Sequence, residues 1–199
     1  MPMEPKDMVE AVTRTLAERT GRGLEEWVAL VEAAAGEGAL DPGDPKAVRA
    51  WLKSEHGLPQ NSRWAVADAT ARRHGWEPPT VAGHTEAMYS GRKAPLRPLH
   101  DAVVEAGLAL GGVEAQGRAG YIPLVRRTQF AAVGPGTYGR LRVGLRFRTE
   151  VPDDRRLEPA KGFAQATHVV HVAPHQEGTD PGALARSLEP LLRAAWEQN

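Results

Sequence analysis

Residues Arg140–Arg148 read RLRVGLRFR. Leu141, Val143, Leu145 and Phe147 fall on one side of an extended chain, and Arg140, Arg142, Arg146 and Arg148 on the other. A period of two belongs to an antiparallel strand with one face on a core and one toward solvent. Four like charges on one face repel, so they call for an anion or for carboxylates nearby. Arg126 and Arg127, in the preceding segment, extend the same basic surface.

Further period-2 segments lie on either side: GYIPLVRR, QFAAVGP and ATHVVHVAP. GPGTYG, between two of them, predicts a hairpin turn. Before the strands, PLRPLHDAVVEAGLALGG places Leu96, Leu99, Val103 and Ala106 at helical spacing and stops at Gly111–Gly112. After them, Leu184, Leu188, Leu191, Leu192, Ala195 and Trp196 form an apolar helix face, which Pro190 is expected to kink or interrupt. One sheet face is expected under the two helices and the other open.

The chain ahead of this is helical in period. Pro5 suits a first turn, with Val9, Val12 and Leu16 following. LEEWVALVEAAAG starts with acids in its first turn and lines up Trp27, Leu30, Val31 and Ala34. Asp44 and Pro45 open a third helix that buries Val48, Trp51 and Leu52. Ser62 is the expected cap of a fourth, which presents Trp64, Ala67 and Ala71. Two helices end in the same punctuation, His56–Gly57–Leu58 and His74–Gly75–Trp76, each with a proline soon after. A His in the last turn and a Gly beyond it make a stop signal, not an acid/base pair of Glu55 with His56. The fold class is therefore α+β: residues 1–76 a small all-helical domain of about four helices, and residues 95–199 an antiparallel sheet flanked by an N-terminal and a C-terminal helix. EPPTVAGHTEAMYSGRKA reads as a linker over residues 77–94.

Two stretches carry a resemblance. TGRGLEEWVALVEAAAG followed by VRAWLKSEHGL resembles the helical domain of an uncharacterised bacterial family with the patterns TGK-x-LEEW and WLK-x-EHGL. YSGRKAPLRPLHDAV, YIPLVRRTQFAAVGP, RLRVGLRF and THVVHV resemble a second domain of unknown function that often follows it. Together they cover most of residues 13–198. The resemblance implies a helical module ahead of an α+β module. It supplies no reaction, cofactor or catalytic residue, and HGLPQNSRWAV departs from the Gly/His-rich turn expected of relatives.

Composition removes several chemistries. The 199 residues contain no cysteine, which excludes disulfides, thiolate nucleophiles and Cys-held metals. No apolar run approaches the roughly 20 residues of a membrane span, and a cytoplasmic protein is the expectation. The net charge is zero but unevenly spread: residues 1–85 carry 10 Lys/Arg against 13 Asp/Glu, and residues 86–199 carry 15 against 12. Ala115–Thr149 holds seven arginines and no acid. His168 and His171 fall on opposite faces of one strand and His175 lies beyond a proline, so no metal site is expected, and no cofactor. No residue set argues for a catalytic centre. The reading is a non-enzymatic binding module whose arginines Arg126, Arg127, Arg140, Arg142, Arg146 and Arg148 meet an anionic partner, with nucleic acid leading. The alternatives are a protein-binding or self-associating module built on Trp27, Trp51, Trp64 and Trp76, and a small-molecule enzyme between the domains.

Overall fold

The computed structural model describes residues 15–173 and 180–199, so the first-turn reading at Pro5 and the reading of His175 lie outside the described residues. The chain divides into two compact units, one up to Pro78 and one over Pro79–Asn199. In the first unit a helical stretch at 15–20 precedes α1 (Leu24–Gly36), α2 (Pro45–Ser54) and α3 (Gln60–Arg73). The second unit runs α4 (Val81–Met88), a 3₁₀ turn (Gly91–Leu96), α5 (Arg97–Leu108), β1 (Glu114–Ala115), β2 (Ile122–Val125), β3 (Gln129–Pro135), β4 (Leu141–Leu145), β5 (Glu158–Pro159), β6 (His168–Val172) and α6 (Pro181–Glu197). It is an α+β protein. Among the described residues no helix is long and apolar enough to cross a membrane.

Local signals build the first unit. The Glu26 carboxylate accepts from the Gly23 N–H at 2.7 Å, and Asp44 from the Lys46 N–H at 2.8 Å. Leu16, Trp27, Val28, Val31, Val48, Leu52, Leu58, Val66 and Ala67 share one core. Both His–Gly signals do stop helices, by different closures. At Gly75 the Trp76 N–H donates to the Ala71 carbonyl at 3.0 Å and the Gly75 N–H to Arg72 at 3.2 Å. At Gly57 the closure is one residue wider, with the Leu58 N–H on the Leu52 carbonyl at 3.2 Å. Both glycines have positive φ, 60° and 80°. The His56 ring packs edge-on against Trp27 and Trp51, so its side chain belongs to packing.

Three local expectations are corrected. Helix α3 begins at Gln60, with the Pro59 carbonyl accepting from Arg63; Ser62 is therefore inside the helix and buried, not its cap. Trp64 turns outward, 50% exposed, under the Arg49 guanidinium at 4.2 Å, because the small residues Ala65, Ala67 and Ala71 take the close helix contact instead. The stretch read as a linker over residues 77–94 is folded: Thr80 caps α4 through the Gly83 N–H at 3.1 Å, and Met88 and Tyr89 enter the core of the second unit. The two prolines end just before that helix.

The sheet has the order β1-β2-β3-β4-β6-β5, antiparallel throughout. The row Ile122–Val133–Val143–Val170 packs with Leu99 and Val103 of α5 and Leu188, Leu191 and Leu192 of α6. Helix α6 runs through Pro190 unbroken, since the buried leucines on both sides of the proline hold it to the sheet. The other face is not open as expected. Phe163, on the connection between β5 and β6, packs there with Ala132 and Val169. Gly144 makes room for it: a Cβ at that position would come within 2.9 Å of the Phe163 ring and of Ala166.

Candidate functional site

Cross-strand register sorts the six arginines by position. Arg142 lies opposite Gly134 on one side and His171 on the other, near the β3–β4 hairpin. Arg146, four residues on, is about 13 Å along the strand at the opposite end of the sheet. Arg126, Arg127 and Arg148 belong to that far end as well, at the β2–β3 turn and beyond β4. The single basic face read from the alternation is two separate groups.

The far group is largely engaged with the C-terminus. The Arg148 guanidinium donates to Asn199 Oδ1 at 2.7 Å and to the Thr128 hydroxyl at 2.9 Å. The Arg126 guanidinium stacks 3.9 Å from the Trp196 ring and donates to its carbonyl at 3.3 Å. These contacts clip the end of α6 to the sheet. Arg146 reaches Gln165 at 3.5 Å, and Arg127 is exposed at the turn.

The hairpin group is different. The Arg142 guanidinium lies 3.6 Å from the Phe163 ring centroid, a cation–π contact that orients it over the outer face. Its Nε is buried and has no hydrogen-bond partner among the described residues, and the same holds for Arg140 Nε and for Nδ1 of His171. Burial pulls the Arg142 pKa down from the ordinary guanidinium value. Gly136 brings these groups close: a Cβ there would meet the Arg142 Cβ at 3.3 Å and His171 Nδ1 at 3.6 Å. The hairpin turn reverses at Tyr138 and Gly139, both with positive φ, and leaves the Tyr138 ring 92% exposed and 5.9 Å from the Arg140 guanidinium. Tyr121, by contrast, packs edge-on to Phe163 at 5.5 Å.

The turn that presents Phe163 is strained. Ala164 and Gln165 both adopt positive φ, 49° and 59°, which costs a non-glycine residue of order 1 kcal/mol or more. The turn closes through the Ala166 N–H on the Phe163 carbonyl at 2.8 Å, and the Gln129 side-chain amide donates to the Ala164 carbonyl.

Among the described residues none of the six arginines pairs with a carboxylate; Asp154, six residues beyond Arg148, binds Arg156 at 2.7 Å. His168 packs on Phe147 and bonds Thr167, on the core side as its alternation implies, and so away from His171. His171 and Phe163 are the site residues that the sequence reading missed. Alternation signals the face of His171, but its place beside Arg142 needs the β4–β6 register. For Phe163 no local signal exists.

Residues 85–199 match the model of a domain of unknown function, DUF5655, starting within α4, and residues 9–70 match that of another domain of unknown function, DUF4287. No curated protein and no solved structure matches the chain. The first match takes in the whole sheet and more than half of the sequence: the chain belongs to the DUF5655 family and carries a DUF4287 domain ahead of it.

Proposed function

We propose that the second unit is a non-enzymatic binding module that holds single-stranded nucleic acid by its phosphates at the β3–β4 hairpin end of the sheet. The observation that carries this reading is that Arg140, Arg142 and His171 lie at one end of the sheet, each with a buried nitrogen that has no partner among the described residues, and that no carboxylate there pairs with either arginine. With no carboxylate paired to them among the described residues, the two guanidinium groups keep their charge for an acceptor that arrives from outside. A phosphate oxygen is such an acceptor, and guanidinium is suited to it. Tyr138, exposed beside Arg140, supplies a ring on which an unpaired base stacks, a contact worth about 1–3 kcal/mol and blind to sequence. The narrow site favours a flexible single strand over a duplex laid across the sheet, because Phe163 and its loop occupy the outer face.

The test is fluorescence anisotropy of a labelled single-stranded 20-mer titrated with the full chain between 25 and 200 mM salt. Binding at low salt that weakens with a log–log slope of about −0.7 per contacted phosphate is expected. Absence of binding at 25 mM salt, or an affinity independent of salt, overturns the reading.

A further inference from the structure

A cleft of about 480 Å³ opens beside the hairpin end of the same sheet, between the end of α4, the 3₁₀ turn and the segment leading into β2. Met88 and Pro135 give it apolar walls, Gly120 keeps one side low, and Ser90, Arg92 and Lys93 give it a polar rim. Among the described residues none that lines it is acidic. Among the described residues neither Arg92 nor Lys93 makes a side-chain ion pair: Arg97, the next cation along, is the one that takes Asp101. Two cations side by side without a carboxylate have the electrostatics of a phosphate site. The apolar walls ask for more than a bare ion.

Strand β3 borders both the cleft and the hairpin site. Pro135 lines it, while the next residue, Gly136, backs Arg142 and His171. Gly134, opposite Arg142, lies so close under Gly120 that a Cβ there would come within 2.7 Å of the Gly120 carbonyl. The segment forming one wall of the cleft is thus seated on the strand that carries the other site. At this volume, within the usual 300–1,000 Å³ range of ligand pockets, there is room for one nucleoside phosphate.

We infer that the cleft seats a single phosphorylated nucleoside, its phosphate between Arg92 and Lys93 and its apolar part against Met88 and Pro135. The ligand is either a free nucleotide or the phosphorylated end of a strand held at the hairpin. The inference rests on the nucleic-acid reading for the second source only.

The experiment compares 12-mer single strands of one sequence carrying a 5′-phosphate, a 3′-phosphate or hydroxyls at both ends, with AMP and inorganic phosphate as competitors. The full chain and the Arg92→Ala/Lys93→Ala variant are measured under the same conditions. A terminal phosphate at one end should tighten binding about tenfold, as charge-assisted hydrogen bonds do. The double variant should lose that advantage and bind the hydroxyl-ended strand within about twofold of the parent chain. AMP should compete for the advantage better than inorganic phosphate does. AMP binding without any strand binding would assign the cleft to free nucleotide and discard the reading of the hairpin. Strand binding with no terminal-phosphate advantage and no AMP competition sinks the inference and leaves the hairpin reading standing. Equal competition by AMP and phosphate removes the nucleoside from it, and binding of no probe overturns both.

Discussion

In the helical unit two arginines and a histidine lie against acids, while Arg63 keeps a buried Nε without a hydrogen-bond partner among the described residues. Arg73 meets Glu25, His74 Nε2 sits 2.8 Å from Glu32, and Arg49 lies 3.5 Å from Asp68 while stacking on Trp64. In the sheet unit the arginines of β4 and its hairpin meet aromatic rings, amides and carbonyls, with no acid paired to them among the described residues. Both units bury part of their cations, so the difference is not one of burial. It lies in what neutralises them. A cation paired within its own unit has little left for a partner, whereas one held by a ring face keeps its charge available.

The contrast extends to histidine, and the largest effect we expect comes from there. His100 is buried, its Nδ1 2.9 Å from the Tyr89 hydroxyl, and burial lowers its pKa to about 4. The same burial pushes the Tyr89 hydroxyl above its ordinary value. The unfolded chain, with His100 near 6.5, binds the proton more tightly than the folded one. Stability contributed by neutral His100 is therefore full above pH 6.5 and falls by about 3 kcal/mol as the pH drops toward 4. Denaturant melts of the parent chain and of Tyr89→Phe/His100→Leu at pH 7, 5 and 4 test this. The variant should show a shallower decline, and parallel curves would break the account.

Next in size is the charge reversal Arg140→Glu/Arg142→Glu, set beside Arg73→Glu in the helical unit. Two lost phosphate contacts of about 1.5 kcal/mol each predict a roughly hundredfold weaker single strand for the first, and no change within twofold for the second. Equal losses in the two variants would reduce the comparison to net charge. Circular dichroism checks that both remain folded.

Gly144→Ala probes the strained loop. The added methyl group crowds Phe163 and Ala166 and should cost about 1 kcal/mol of stability in urea melts, with single-strand affinity falling a few-fold as Phe163 shifts from under Arg142. Unchanged affinity would separate the ring from the site.

Smallest of all is Glu32→Gln, which leaves His74 at a half-exposed surface without its carboxylate. A loss of about 0.5 kcal/mol or less is expected, because exposed pairs contribute little. A larger loss would mean that the pairing in the helical unit is structural as well as neutralising.

What could be read from residues alone was whatever closes within one turn or one strand. Asp44 and Pro45 start a helix because the carboxylate reaches the nearby Lys46 N–H; His–Gly–hydrophobic stops one because glycine accepts positive φ there. The alternation of RLRVGLRFR set its core side, and Leu141, Val143, Leu145 and Phe147 are all buried. Composition likewise marked the arginine excess. Elsewhere local signals misled: two prolines suggested a linker where Thr80 caps a helix, and Trp64, grouped by spacing with Ala67 and Ala71, turns outward while the alanines pack.

Tertiary structure decided the rest, because the deciding partners are distant in sequence. Only the β4–β6 register sets His171 opposite Arg142, and a slip of one residue would turn it to the core. Only the seating of Phe163 over Gly144 covers the outer face and aims Arg142. The chain by itself determined that arginines would be abundant, alternating and short of nearby acids. Whether they stand together or apart was a matter of packing, which clipped Arg126 and Arg148 to the C-terminus and left Arg140 and Arg142 with buried nitrogens that have no partner among the described residues.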